Sequence, residues 1–490
     1  MQLWRIELQL QLQCRLPRGL SRRMHKLFGA LLWRVHEHHF LSRARDMAGA
    51  GPARVAVAPR SAQGPGKAAA RSLAPRAARA STGDESPSAP CVTSSSAPGP
   101  DANRRVFAAP PEWESGRAKT ITFMLTEDCQ LRCRYCYFAA KSSKGKMAFD
   151  VARRTIDRLL EEPDIFREPS VILDFIGGEP LLEIALLDRI CDYFKHRAFV
   201  LGHPWFDAYR ISFSTNGLLY RDPRVQRFIA KNRAHLSIGI SIDGTPRKHD
   251  LQRVFRNGRG SYAAVARSIP LWLRQFPDAA TKVTVARDDL PYVRESVLHL
   301  WGLGIRHIHI NVVFENVWKD GDDRVLEEQL VSLADDIIEG RYYEGRSCSF
   351  FHRSVGSPAT TERNWCGAGQ MLAVDHTGNF YPCVRFTPPS LQKKEAIVVG
   401  NCFTGIDHNR LRPFLALDVR SQSPPECLEC QVAGGCAWCQ GANYDEAASD
   451  TIYQRATYLC GMHKARVRAN RYFWDKLDRS LGCSSTSSSS

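Results

Sequence analysis

The segment TITFMLTEDCQLRCRYCYF, residues 120–138, decides the reading of this chain. It opens as an apolar strand, Thr120–Leu125, and runs into a loop bearing Cys129, Cys133 and Cys136 in the spacing C-x3-C-x2-C. Beyond it, short apolar runs alternate with amphipathic stretches of helical period. Strands are expected at Thr120–Leu125, Val171–Ile176, Arg210–Phe213, Leu236–Ile242, Lys282–Val285 and His307–Phe314. Helices are expected at Met147–Glu162, Leu182–Arg197, Pro223–Lys231, Tyr262–Phe276, Val293–Leu303 and Leu326–Tyr342. Several strands are continuous apolar runs, as strands buried on both faces are. Six βα units in succession imply a parallel sheet with right-handed crossovers. The alternation stops near Arg346, short of eight units, so the expected fold class is α/β, a partial (β/α)6 barrel of TIM type. Its chemistry belongs at the C-terminal ends of the strands.

The flanks differ in composition. Residues 1–105 are rich in Ala, Arg, Pro, Ser and Gly and are expected to be disordered. Within them, residues 20–40 form a basic amphipathic helix in the expected reading, around Leu27, Leu31, Leu32 and Val35, with His36, His38 and His39 solvated. An Arg-rich, Ser-rich, acid-poor extension reads as an organelle transit peptide; a translated stretch upstream of the true start is the alternative. The expected location is cytoplasmic, or plastid or mitochondrial if the extension targets the chain. From Cys348 to Cys460 loops, Gly, Pro and cysteines dominate, and metal ligation is the expected source of order. The layout is therefore 1–105 extension, 119–346 barrel, 347–466 cysteine-rich domain, and 467–490 a C-terminal helix with a disordered Ser-rich tail.

Charge excludes some classes. The chain of 490 residues has 67 basic and 51 acidic side chains, or +16. Residues 1–100 hold 15 Lys/Arg and five acids, so +10 sits there and +6 on the other 390 residues. Net charge therefore gives no ground for a nucleic-acid partner. No apolar run approaches the ~18 residues of a membrane span. Sixteen cysteines are many, but a chain this long needs no disulfide staples.

Three thiols on one short loop can wrap an inorganic centre. Tetrahedral zinc wants a fourth protein ligand, and no nearby Cys or His supplies one. A [4Fe–4S] cluster with three ligands leaves one iron open to a small molecule. Structural zinc or free thiols remain the alternative. Gly177-Gly178-Glu179-Pro180 follows the second strand, and glycines permit close backbone approach to a ligand. Ser214-Thr-Asn216-Gly217 ends the third strand and Ser241-Ile-Asp243-Gly244 the fourth, before His249, Asp250 and Arg253. Arginine's fork matches a carboxylate. Farther on come Cys366-x11-Gly378-x4-Cys383, Cys427-x2-Cys430-x5-Cys436-x2-Cys439 and Cys460. Seven thiols exceed one zinc site and nearly fill two four-ligand centres; zinc knuckles are the alternative. Cys14, Cys91, Cys191, Cys402 and Cys483 fit no ligand pattern.

Together these motifs resemble radical SAM enzymes. The resemblance, over Lys119–Arg466, implies a [4Fe–4S] cluster on Cys129, Cys133 and Cys136 whose open iron binds S-adenosylmethionine. Reductive cleavage then yields a 5′-deoxyadenosyl radical that abstracts hydrogen. It further implies that Gly177, Gly178 and Glu179 form the SAM motif, that Ser241 and Arg253 contact the SAM carboxylate, that Tyr135 lies beside the adenine, and that Phe314 packs on the adenosine. The later cysteines resemble the SPASM extension, a loop-rich iron–sulfur domain with two auxiliary [4Fe–4S] clusters. By that resemblance Cys427, Cys430, Cys436 and Cys460 hold one, and Cys366, Cys383 and Cys439 the other. Cys436 and Cys439 are two residues apart where the family has three. The second cluster's fourth position belongs either to Cys348 or to a substrate thiolate.

SPASM enzymes mostly modify peptides or proteins. Sulfatase maturases place an aspartate directly after the counterpart of Cys383 as base; here Val384 follows, then Arg385 and Phe386, so no catalytic base is assigned. Cys366-Gly-Ala-Gly369, Tyr381-Pro-Cys383-x-Arg385-Phe386 and Asn311-x-Val313-Phe314-Glu315 resemble maturases that make thioethers in cysteine-repeat peptides. The implied function is peptide or protein modification by hydrogen abstraction, giving a thioether or carbon–carbon crosslink. The alternatives are oxidation of Cys or Ser to formylglycine and an inactive iron–sulfur or zinc scaffold. Implied partners are a peptide or protein substrate and a low-potential donor such as flavodoxin or ferredoxin, with no nucleic acid and no membrane. Residues 1–118 show no winged-helix pattern for a leader peptide, so leader recognition is supplied elsewhere or absent.

Overall fold

The computed structural model of the chain describes residues 118–139, 145–162, 166, 168–356, 366–436 and 438–482. These fall within one compact unit, Ser88–Ser490. The expectations for residues 1–105, including Cys14 and Cys91, and for the tail from Cys483 lie outside them.

Six strands form where the alternation places them: β1 (Ala118–Thr126), β2 (Ser170–Gly177), β3 (Tyr209–Thr215), β4 (Leu236–Ile240), β5 (Ala280–Val285) and β6 (His307–Val312). β1 to β4 pair in parallel in chain order, and β5 pairs in parallel with β6. One face of each strand is apolar and sealed by helices. Ile121, Phe123, Val171, Leu173, Phe175, Ile211, Ile240 and Val285 are buried there. The result is an α/β fold with a mostly parallel sheet, a partial barrel.

The opposite faces differ from the expectation of strands buried on both sides. Thr122, Asp174 and Ser212 lie level across β1, β2 and β3. Asp174 and Ser212 are half-buried, and Ser214, Ser237, Lys282 and His309 are exposed. This lumen face is mixed: Thr122, Asp174, Ser212, Ser214, Lys282 and His309 make it polar, beside Met124, Ile172 and Ile176.

The six strands make two ladders, not one. β4 stops at Ile240, two residues before the expected Ile242, where the Ser241 amide turns to Thr215 O at 2.9 Å. Side chains join the ladders. Thr281 Oγ1 donates to Ile240 O at 2.7 Å and accepts from Ile242 N at 3.3 Å. The Thr284 amide donates to Asp243 Oδ1 at 3.3 Å.

Residues after 346 extend both edges of this sheet. β7 (Ser347–Cys348) pairs in parallel with β6. β8 (Leu372–Val374) pairs in parallel with β1, followed by β9 (Asn379–Tyr381), β10 (Gly400–Asn401) and β11 (Gly405–Ile406). Such two- and three-residue strands are too short to show a period. The expected helix Tyr262–Phe276 is two, Tyr262–Ala266 and Ile269–Gln275, with Pro270 in the first turn of the second. The C-terminal helix runs Cys460–Ser480, starting at a cysteine and not at residue 467, and packs on the helix Asp322–Glu339. Among the described residues no helix is long and apolar enough to cross a membrane.

Thr281→Val keeps the shape but strands Ile240 O and Ile242 N. It should cost about 1–3 kcal/mol, read from urea midpoints. A midpoint equal to that of the wild type would show that the seam needs no side-chain bridge.

Candidate active site

The cysteine loop is clamped from two sides. On one, a backbone bridge joins Leu131 to Phe255, Arg132 N donates to Val254 O at 2.7 Å, and Arg134 N donates to Gln252 O at 2.9 Å. Arg256 Nη2 donates to Cys129 O at 2.9 Å and pairs with Asp128. On the other, the Gly178 amide donates to Thr126 O and the Glu179 amide to Asp128 O, each at 2.8 Å. A Cβ on Gly177 would lie 2.0 Å from Thr126 O, and one on Gly178 2.0 Å from Asp128 O. Gly177 also has φ +136°, a region that favours glycine. These glycines let the loop's own backbone approach. The amides of Gly178 and Glu179 are thus taken up by the loop's own carbonyls.

Glu179 ties β2 to β3. Its Oε1 accepts from Thr215 Oγ1 at 2.6 Å and Leu181 N at 3.1 Å, and its Oε2 from Asn216 N at 2.8 Å. Burial pushes its carboxyl up, while these donors and Arg253 pull it back. Asn216 in turn donates to Gln130 Oε1 at 3.0 Å and reaches Cys129 Sγ at 3.9 Å.

Asp243 organises the region after β4. Arg253 Nε donates to Asp243 Oδ2 at 2.9 Å, Tyr135 Oη donates to the same oxygen, and the guanidinium lies 5.4 Å from the Tyr135 ring centroid. Burial opposes the Asp243 charge, but Arg253, Lys248 and His249 outweigh it and hold the carboxyl at about 2. Asp243 was not singled out as a site residue, although an acid directly after a strand, in Ser241-Ile-Asp243-Gly244, was its signal. Ser241 is buried beside it. Phe314 lies two residues past the end of β6, half-buried, its carbonyl accepting from Tyr458 Oη at 2.6 Å.

Cys129 is buried, Cys133 and Cys136 are half-buried, and none of the three is in a disulfide. The later cysteines fall into two sets by the charges that act on them. Burial and then Cys439 push Cys366 up; burial and then Cys366 and Cys439 push Cys383 up. In the other set burial raises Cys427 and Cys436, Arg455 opposes it, and Cys460 adds to it in both. Cys430 acts on Cys436 as well. Cys348 stands apart: burial pushes it up to about 12 against the Phe350 amide and Arg466. Cys191 and Cys402 are core residues. Among the described residues no three His, Cys, Asp or Glu side chains gather tightly enough to hold a metal ion.

Arg385 links the barrel loop to the first set. Its Nη2 pairs with Glu315 Oε1 at 2.8 Å, and its guanidinium lies 4.7 Å from the ring centroid of Tyr137, the residue after Cys136. Burial works against its charge, but Cys439 and Glu315 raise it overall. Val384, in the turn Val384–Phe386, offers no proton acceptor.

Residues 123–286 match the Radical SAM superfamily. The chain carries a radical SAM domain. The family implies a [4Fe–4S] cluster and S-adenosylmethionine as cofactors. The radical SAM loop fits such a group: three thiols, amide donors to Cys129 Sγ from Leu131 and Asn216, and Arg253 close enough to feel Cys133. An uncharacterized protein of Methanocaldococcus jannaschii is 28% identical over 277 residues, 54% of this chain and 84% of that one. The serine-type anaerobic sulfatase-maturating enzyme of Bacteroides thetaiotaomicron is 22% identical over 340 residues, 63% of this chain and 78% of that one. The solved structure of native anSMEcpe with bound AdoMet and Cp18Cys peptide has a TM-score of 0.56 at 18% identity, covering 74% of this chain and 99% of that one. That likeness is one of fold.

Gly178→Ala should cost the radical SAM domain about four irons after anaerobic reconstitution, as Cys129→Ala should. Gly302→Ala, whose Cβ meets open space, should keep its iron. Equal iron in all three would contradict the clamp. Arg253→Ala leaves Asp243 buried without its arginine and should cost about 3–5 kcal/mol, measured without SAM. An unmoved denaturation midpoint would leave Arg253 no structural part.

Proposed function

We propose that this radical SAM enzyme modifies a peptide or protein by joining a substrate carbon to a cysteine sulfur. The observation that carries the reading is that Gln440 N, next to Cys439, donates to Cys366 Sγ at 3.4 Å and Gly369 N donates to Pro382 O, next to Cys383, at 2.9 Å, while Cys348 lies in β7 beside β6. A centre held by three thiolates keeps a position for a substrate sulfur. In this reading Cys129, Cys133 and Cys136 hold the radical SAM cluster. Cys366, Cys383 and Cys439 hold one auxiliary cluster, and Cys427, Cys430, Cys436 and Cys460 the other. Tyr135, Gly177, Gly178, Glu179, Ser241, Arg253 and Phe314 shape the SAM site. Bound SAM, cleaved by an electron from a flavodoxin or ferredoxin, supplies the radical that takes hydrogen from the substrate carbon.

The chain's own residues do the rest. The clamp around Cys129 holds the loop still, Asp243 keeps Arg253 and Tyr135 together, and the polar lumen admits a peptide segment. Oxidation to formylglycine is the second reading, favoured by the likeness to sulfatase-maturating enzymes.

Anaerobic incubation with SAM, dithionite and cysteine-containing peptides tests the proposal by mass spectrometry. The expected product has lost two hydrogens per crosslink and one alkylatable thiol per thioether, and Cys383→Ala should not form it. Formylglycine in a sulfatase-type peptide, with cysteine-repeat peptides untouched, would replace this reading with the second.

A further inference from the structure

We propose that Asp174, on the lumen face of β2, takes the proton that the substrate thiol gives up on the way to the C–S bond. The inference rests on the reading just given. Joining a carbon radical to a thiol forms a C–S bond and breaks an S–H bond. It releases one proton and one electron. The electron requires a one-electron oxidant of the iron–sulfur class, which Cys366, Cys383 and Cys439 would hold in that reading. The proton needs a separate acceptor, and Val384 is none.

The carboxylates around the site are mostly committed. Asp128, Asp243 and Glu315 are each paired with an arginine, and Glu179 accepts three hydrogen bonds. Asp174 forms no ion pair among the described residues. Thr122 Oγ1 donates to it from β1 at 3.3 Å, and Ser212 hydrogen-bonds it from β3. Arg210 lies one step along the same face of β3, and Tyr137 of the cysteine loop feels the Asp174 charge. The Tyr137 phenol feels Cys136, Arg385, Asp174 and Cys383, and the Arg385 guanidinium lies 4.7 Å from its ring centroid.

The environment suits proton transfer. Asp174 is half-buried on the lumen face, so its carboxyl is desolvated without being sealed off. Burial pushes its carboxyl up to about 6, against the Thr122 and Ser212 hydroxyls. An acceptor with a pKa near the working pH both takes and releases a proton readily.

The test measures crosslinked peptide per 5′-deoxyadenosine released between about pH 5 and pH 8. Wild type should show the ratio falling as pH drops through about 6. Asp174→Asn should lower the ratio about tenfold or more and lose this limb. Thr122→Val removes a donor to the carboxylate and should move the limb to higher pH with the same plateau. A folded Asp174→Asn protein with wild-type ratio and pH profile would overturn the proposal.

A second readout needs no substrate. A carboxyl raised in the folded state stabilises below its unfolded pKa, and that contribution is lost as pH rises through the folded value. Asp174→Asn should therefore melt higher than wild type at about pH 8 and approach it at about pH 5. If no cysteine peptide is crosslinked by wild type, the thioether reading fails and takes the thiol proton with it, even where the melting difference stands. Equal midpoints at both pH values would show instead that Asp174 is not the desolvated acid the proposal needs.

Discussion

The structure depends on one steric constraint: between the start of the cysteine loop and the end of β2 there is no room for a Cβ. Thr126 O and Asp128 O lie where side chains of residues 177 and 178 would begin. Removing those side chains brings two backbone strands into contact and frees amides to bond across it. The contact then propagates. Glu179 is held at the sheet edge, its carboxylate fixes Thr215 and Asn216, and Asn216 reaches back to Gln130 and Cys129. A loop of three thiols, which has no regular structure of its own, is thereby set rigidly on a sheet.

Electrostatics supplies the second level of order. Asp243 is buried and still charged because Arg253 and Lys248 act on it and Tyr135 donates to it. That carboxylate holds Arg253 and Tyr135 on one oxygen, next to the thiols. Arg385 plays a comparable part between Glu315, Tyr137 and Cys439. Both arginines lie where thiolates need compensating charge, so the protein carries positive charge toward its cysteine centres from within its own folds.

Much of this was legible. The helix-facing residues of β1 to β6 repeat as strands do, so their positions were read within a few residues. The motifs after β1, β2 and β4 marked the edge where chemistry sits. What escaped was set by longer-range geometry. The seam between β4 and β5 depends on one threonine reaching across to Ile240, which no local pattern announces. β7 to β11 are too short for a period. The helix Pro246–Gln252 was missed although Thr245 accepts from Lys248 N and Pro246 takes the first helical position, a recognisable start signal. The close approach of the loop backbone to Gly177 and Gly178 was not legible, because a sequence shows a missing side chain without showing what fills its place. Asp174 interrupts an apolar run, and its polar surroundings appear only when Thr122 and Ser212 come level with it.

The loop of Cys129, Cys133 and Cys136 would hold an iron–sulfur cluster with one iron open to SAM. Electron paramagnetic resonance of the dithionite-reduced protein, with and without SAM, tests it most directly. The account predicts a reduced [4Fe–4S] signal that changes when SAM is added, and no such SAM-dependent change in Cys136→Ala. A wild-type spectrum indifferent to SAM, or stoichiometric zinc in place of iron on this loop, would contradict it.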